Sequence, residues 1–562
     1  MTPSSTWLAV LLGALASLAA AQDLVAELDY GTFRGAYSQE YNISYWRKIP
    51  FAAPPVGENR FRAPQPPHRV EGVYDSDQSF DMCPQRTVNG SEDCLYLGLY
   101  SRPWTRGQPL RPVVVVFYGG GFIQGSASFT IPPSAYPVLN TSAAADLVFI
   151  YPNYRVNAFG LLAGREIAED PRSDANAGLL DQRAAIRWAN LYARHFGGDP
   201  DDVSIWGQSA GGGSVVAQVI ADQDHAPGTW GAGARFSKAL ASSPFWPKTY
   251  EAVGPESQAL YDAVVESVGC AAERDTLACL KRADVQAIRN ISLALSNSQT
   301  YTTSSYTWAP VIDGGFLPRR LAEATRVDGD GKKRTRRGSG GGGSGGGGGA
   351  GVNAQRAFGM YNALEGETFV PGGLHSATDA GTPPFNESEA GFEKWLAGFL
   401  PGLAPCEREA ATRRYYPPAG TSDPVSGAYN TSYERAGFLF RDVVLACPAY
   451  YIAAAAREGG WVGEYDILPA KHASDVYWWN TVNPAQQEDP LHYEGYAGAF
   501  ASFFAAGDPN RFKLTDASVP GVPPLSSGRE FVIDADGFST ASVADLKARC
   551  EFWRKVSRHI PM

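Results

Sequence analysis

The stretch "VSIWGQSAGGGSV", Val203 to Val215, places a serine among small residues directly after a β-rich tetrad. A serine hydroxyl is a useful nucleophile only when it is exposed, close to a base and beside preformed donors for a developing oxyanion. Gly207-Gln208-Ser209-Ala210-Gly211 meets the first condition if Val203 to Trp206 is a strand and Gly212 to Ala221 a helix, because Ser209 then falls on the sharp bend between them. Gly207 and Gly211 remove the side chains that would collide where strand and helix cross. The bare pentapeptide fits a structural turn equally well, and the strand-to-helix setting is what points to acyl transfer. A second element supplies the donors. "FYGGGF", Phe117 to Phe122, follows the apolar run Val113 to Val116, and its glycines let backbone N–H groups approach a substrate oxygen closely. Gly120 and Gly121 are assigned as donors, with Ala210, the residue after the serine, as the third.

The elements that must hold these residues follow from periodicity. "VVVVFY" (Val113 to Tyr118) and "LVFIYP" (Leu147 to Pro152) are short β-branched runs of the kind found in fully buried strands. "AGLLDQRAAIRWANLYARHF", Ala177 to Phe196, carries Leu179, Ala184 and Ile186 to Trp188 at near-helical spacing, which predicts an amphipathic helix. Strands alternating with helices imply an α/β fold with a mostly parallel sheet covered on both faces. The chain has 562 residues, 44% hydrophobic and 19% charged, ample for a large core, and its net charge of −10 argues against a nucleic-acid partner. One segment breaks the pattern. Asp328 to Gly351 is a basic cluster followed by a glycine tract, expected to be a disordered insertion and not a domain boundary, since loop closure costs little extra with length. Within it, Lys332 to Arg337 reads as a solvated loop or as a dibasic processing site.

At the N-terminus, Trp7 to Leu18 is apolar and leads into Ala19-Ala20-Ala21, which fits a secretory signal cleaved after Ala21, although its first residues lack Lys or Arg. A membrane anchor is the alternative; the run is short for a bilayer, and no second span is expected. Sequons at Asn42, Asn89, Asn140, Asn290, Asn386 and Asn430 agree with a secreted glycoprotein. The seven cysteines fit an oxidising compartment and lack metal-site spacing. Cys83 with Cys94 and Cys270 with Cys279 are expected to close small loops. Cys406 is expected to pair with Cys447, leaving Cys550 as a free thiol.

These motifs together resemble the type-B carboxylesterase family, which includes cholinesterases and fungal lipases. "KIPFAAPPVGENRFRAPQPP" (Lys48 to Pro67) is similar to its N-terminal strand and turn, while "SEDCLYLGLY" (Ser91 to Tyr100) and "FGGDPDDVSIWGQSAG" (Phe196 to Gly211) resemble its two signatures. Gln208 stands where many members carry Glu. The resemblance covers nearly all of the mature chain and implies one α/β-hydrolase domain over residues 22–562. It also implies the order nucleophile, acid, base. In "GMYNALEGETF", Gly359 to Phe369, the resemblance assigns the acid to Glu365, with Glu367 as nearest competitor. In "KHASDVYWWN", Lys471 to Asn480, followed by "GDPN" (Gly507 to Asn510), it assigns the base to His472, with His492 as alternative.

The implied reaction is hydrolysis of a small-molecule carboxylic ester through an acyl-enzyme, with no metal or organic cofactor. The rate is expected to fall on acidification as the base takes up a proton. Two other readings are a lipase acting on insoluble lipid esters and a catalytically silent interaction protein, although silent relatives typically lack the serine. The loop Pro84 to Asp93, "PQRTVNGSED", bears on the first of these. It has no aromatic residue, its only large apolar side chain is Val88, and it is too short for a helical lid.

Overall fold

The computed structural model describes residues 24–141, 146–222, 229–300, 307–326 and 352–562. The expected leader at residues 1–21 and the glycine tract at 328–351 lie outside them. Eleven strands form the main sheet: β1 (Ala36–Ser38), β2 (Ile43–Pro50), β3 (Tyr96–Ser101), β4 (Arg111–Phe117), β5 (Val148–Pro152), β6 (Gly198–Gln208), β7 (Lys238–Ser242), β8 (Arg356–Asn362), β9 (Gly459–Tyr465), β10 (Arg529–Asp534) and β11 (Gly537–Ser542). Their spatial order is β11-β10-β9-β8-β7-β6-β4-β5-β3-β2-β1. From β5 through β4 and β6 to β10 every pairing is parallel, and the pairings outside that run are antiparallel. Val25–Leu28, Gly31–Arg34 and Val73–Asp75 make a separate three-stranded sheet.

The parallel strands are apolar without alternation because both of their faces are covered. Val113 and Val115 of β4 join one core cluster with Ile205 of β6, while Val114 joins another with Trp206 and Phe358. Helices α1 (Ala177–Tyr192), α2 (Ala210–Ile220) and α3 (Cys447–Ala455) contribute to the first cluster. Helix α4 (Pro490–Ala506) covers the other face, where Trp206 meets Phe500 and Phe504 at ring-centroid distances of 5.5 and 5.3 Å.

Helix α1 differs from its sequence reading. It is buried on nearly every side, not amphipathic, and even Asp181, Gln182 and Arg183 are inside. Asp181 is tolerated there because Arg155 meets it with two side-chain bonds of 2.7 and 2.8 Å and a backbone N–H at 3.0 Å. Of these polar letters, Asp181 is one half of a buried ion pair and Gln182 donates through Nε2 to Ser214 Oγ at 2.8 Å.

Cys83–Cys94 and Cys270–Cys279 are disulfides. The third pairing overturns the expectation for Cys406 and Cys550. Cys447 on α3 is bonded to Cys550 on α5 (Ala544–Val556), with Cα atoms 5.3 Å apart, and Cys406 is the exposed free thiol. Sequence nearness favoured Cys406, but a disulfide requires Cα atoms within about 7 Å, and the packing of α3 on α5 supplies that distance across 103 residues. A run long and apolar enough to span a bilayer exists at Ser432–Ala455, but it is mostly buried and serves as a core helix.

Candidate functional site

Ser209 sits between β6 and α2 with φ 57° and ψ −125°, a conformation that an L-residue holds only when its surroundings enforce it. The enforcement is visible in the backbone. Ser209 N–H donates to Ser242 O at 3.0 Å, and Ser209 O accepts from Gly213 N and Phe245 N at 2.8 and 2.9 Å. The flanking glycines are required by close approach: a Cβ on Gly207 would lie 2.3 Å from Gly211 backbone, and one on Gly211 only 2.1 Å from Phe117 O. Helix α2 begins at Ala210, two residues earlier than the sequence suggested. Its glycines are fixed by packing, since a Cβ on Gly213 would stand 2.1 Å from Phe245 O. The N–H of Ala210 belongs to the first helical turn and has no partner within the helix, so it is available to an anion.

His472 lies on the loop after β9. Its Nε2 is 2.8 Å from Ser209 Oγ, and its Nδ1 is 2.8 Å from Glu365 Oε2. Ser209 retains 9% exposure while Glu365 has none. Glu365 follows β8 in a short 3-10 turn, and its second oxygen accepts the backbone N–H of Asn362 at 3.1 Å. Asn362 also donates through Nδ2 to Lys471 O at 2.8 Å and to Asp475 Oδ1 at 3.1 Å, so one side chain ties the acid-bearing strand to the histidine loop. Asp475 is fully buried, and burial pushes its carboxyl above the ordinary value despite bonds from Trp479 and Asn362. Phe369 stands edge-on to the imidazole at 4.9 Å.

The competing residues are engaged elsewhere. Glu367 is ion-paired with Lys471. His492 lies on α4, held by Asp489 Oδ2 at 2.7 Å and by Asp534 O at 2.8 Å. Two more histidines follow Glu365 in the chain: His375 stacks on Tyr433, and His559 pairs with Glu407.

Ser209 and His472 open into a cavity of about 310 Å³ whose wall includes Gly120, Gly121, Phe245 and Phe369. Gly120 and Gly121 adopt φ values of 117° and 64°, which favour glycine, and a Cβ on Gly120 would meet Gln124 O at 2.3 Å. Among the described residues no group of three or more His, Cys, Asp or Glu side chains could hold a metal ion. Sequence reading overlooked Asn362 and Asp475, and also Arg86, which reaches the cavity wall from the Cys83–Cys94 loop. Arg86 was legible only as a letter in a polar loop, since composition does not tell which way a side chain faces.

A parallel sheet with a strained serine at the end of β6, and a histidine and a carboxylate delivered by later strands, is the layout of an α/β-hydrolase. The Carboxylesterase family model matches residues 22–333, more than half of the chain, and the chain belongs to that family. It is 27% identical over 499 residues to carboxylesterase patB of Aspergillus clavatus, covering 86% of this chain and 79% of that protein. It is 31% identical over 316 residues to secreted triacylglycerol lipase LIP1 of Gibberella zeae, covering 51% and 52%. Among solved structures, Aspergillus niger EstA matches with a TM-score of 0.76 at 22% identity over 96% of this chain and 99% of that one, a likeness of fold. The protein is a carboxylic ester hydrolase, and small-molecule esters are its substrates.

Proposed function

We propose that Ser209, His472 and Glu365 form the catalytic triad of a secreted carboxylesterase that acts on soluble esters. The observation that carries this reading is the chain of two 2.8 Å contacts running from Ser209 Oγ through His472 to Glu365 at the wall of the cavity. His472 Nε2 takes the hydroxyl proton as Ser209 Oγ bonds to the ester carbonyl carbon, and the oxyanion is held by the N–H groups of Gly120, Gly121 and Ala210. The C–O bond to the alcohol then breaks, the alcohol leaves with the proton from His472, and an acyl-serine remains. Water, deprotonated by His472, attacks that ester, and the acid departs as the proton returns to Ser209. Glu365 accepts the Nδ1–H throughout, fixing the tautomer and stabilising the imidazolium.

Secretion is supported by the three disulfides and by the sequons: Asn42, Asn89, Asn140, Asn290 and Asn430 are exposed, and Asn386 is half-buried. A soluble substrate is supported by the Cys83–Cys94 loop, on which Val88 and Asn89 both face water. Two results are expected. A fluorophosphonate ester inactivates the enzyme at one label per chain, on the peptide containing Ser209; inactivation with the label on another residue refutes the triad. With a short triacylglycerol, rate against concentration saturates smoothly through the solubility limit; a sharp rise where droplets form identifies an interfacial lipase instead.

A further inference from the structure

Of the side chains lining the catalytic cavity, Arg86 alone carries a permanent charge, and among the described residues no carboxylate pairs with it. Arg86 is itself exposed to solvent, but the backbone that carries it is held in place. Its loop is closed by Cys83–Cys94. Gln85 beside it is fully buried and locked to Gly125 by two bonds, Nε2 to Gly125 O at 2.9 Å and Gly125 N–H to Oε1 at 2.7 Å. The N–H of Arg86 donates to Ile123 O at 3.2 Å, joining its backbone directly to the segment that follows Gly120 and Gly121. From outside, Arg289 Nε clamps the loop through Gln85 O at 2.7 Å and Val88 O at 3.0 Å. The guanidinium therefore projects from a braced backbone, and its donors meet no acceptor among the described residues.

We infer that Arg86 is a specificity-determining residue that binds a carboxylate on the substrate, so that the preferred esters carry a negative charge away from the scissile bond. The inference rests on the ester-hydrolase reading of the same cavity. A guanidinium presents paired donors that match the two oxygens of a carboxylate. One guanidinium, with no second permanently charged cation among the described residues of the cavity wall, suits a singly charged carboxylate better than a phosphate. The residue beside the nucleophile agrees: Gln208 is neutral, so the bend adds no negative charge to repel an anionic ester. The net charge of −10 does not decide the matter, because at physiological salt charges beyond about 8 Å are screened and the local cation prevails.

The test compares kcat/KM for esters matched in shape, using the full-length enzyme. One arm sets the p-nitrophenyl monoester of glutaric acid against p-nitrophenyl pentanoate, placing the charge on the acyl half. The other sets 4-acetoxybenzoate against 4-methylphenyl acetate, placing it on the alcohol half. In wild type the charged-to-neutral ratio exceeds one in at least one arm, and that arm identifies the half that meets Arg86. In Arg86→Gln the ratio in that arm falls by about tenfold, the loss expected for a charge-assisted hydrogen-bonded pair, and Arg86→Lys retains part of it. A ratio that stays within about twofold of wild type in Arg86→Gln, or that never exceeds one in wild type, overturns the inference while leaving ester hydrolysis intact. If wild type hydrolyses no ester in either arm, the ester-hydrolase reading fails and the inference falls with it.

Discussion

Replacing Ser209 by alanine lowers kcat on a soluble activated ester by about 10⁴- to 10⁶-fold, and His472→Ala does the same. The double variant loses little more than either single one. In the proposed triad serine and histidine act as one unit: without the base the hydroxyl remains a weak nucleophile, and without the hydroxyl the base has no proton to take. Glu365→Gln is a milder lesion, about 10⁴-fold, because the amide leaves the geometry in place but no longer holds the tautomer or the imidazolium. Ser209→Ala folds as the parent does, since the Ser209 hydroxyl contributes no described hydrogen bond other than the one to His472. The measurement is single-turnover and steady-state kinetics on enzyme freed of wild-type carry-over. A Ser209→Ala protein that keeps a tenth of the rate, or additive losses in the double variant, contradicts the triad.

The parts of this site that the sequence made legible are those whose chemistry is local. The bend at Ser209 needs glycine on both sides because a Cβ at either place would strike backbone, so the constraint is written into five adjacent letters. His472 is set before His492 by the resemblance of "KHASDVYWWN" to the family's motif, and in the fold His492 is occupied by Asp489 and a carbonyl. What sequence hid depends on contacts between distant elements. The Cys447–Cys550 bond is decided by how α3 packs on α5, and the burial of α1 by an arginine at position 155 that neutralises Asp181. Asn362 bridges the acid strand and the histidine loop, a role that no spacing within "GMYNALEGETF" reveals, since its partners are more than a hundred residues away.

Glu530→Gln makes the protein more stable at alkaline pH and changes little at acid pH. Glu530 lies on β10 at 4% exposure and accepts the hydroxyl of Tyr361, on β8, at 2.8 Å. Nearby Arg441 and Arg549 are largely committed. Arg441 meets Asp442 at 2.8 Å and Glu464 at 3.2 Å, and Arg549 pairs with the other oxygen of Asp442. Burial opposes the charge of Asp442, but Arg549 and Arg441 outweigh it and hold its carboxyl below the ordinary value. Glu530 is the acid left over, and burial, reinforced by the charge of Glu464, pushes its carboxyl up to about 8. A carboxyl raised in the folded state binds its proton more tightly there than in the unfolded chain, where it titrates near 4.3. Stability is therefore undiminished below pH 4, declines as pH rises toward 8, and is lowest above it. The full span is at most about 3 to 5 kcal/mol for a group this well buried. Glutamine keeps an oxygen for the Tyr361 hydroxyl and cannot ionise, so its variant escapes the decline. The melting temperatures of the two proteins should lie close together at pH 5 and separate at pH 8.5, with the variant several degrees higher. Parallel curves across that interval would show that Glu530 is ionised throughout and that the charges of Arg441 and Arg549 outweigh its burial. Since β8 carries both Tyr361 and Asn362, the same comparison should lengthen the half-life of esterase activity at pH 8.5 more than at pH 5.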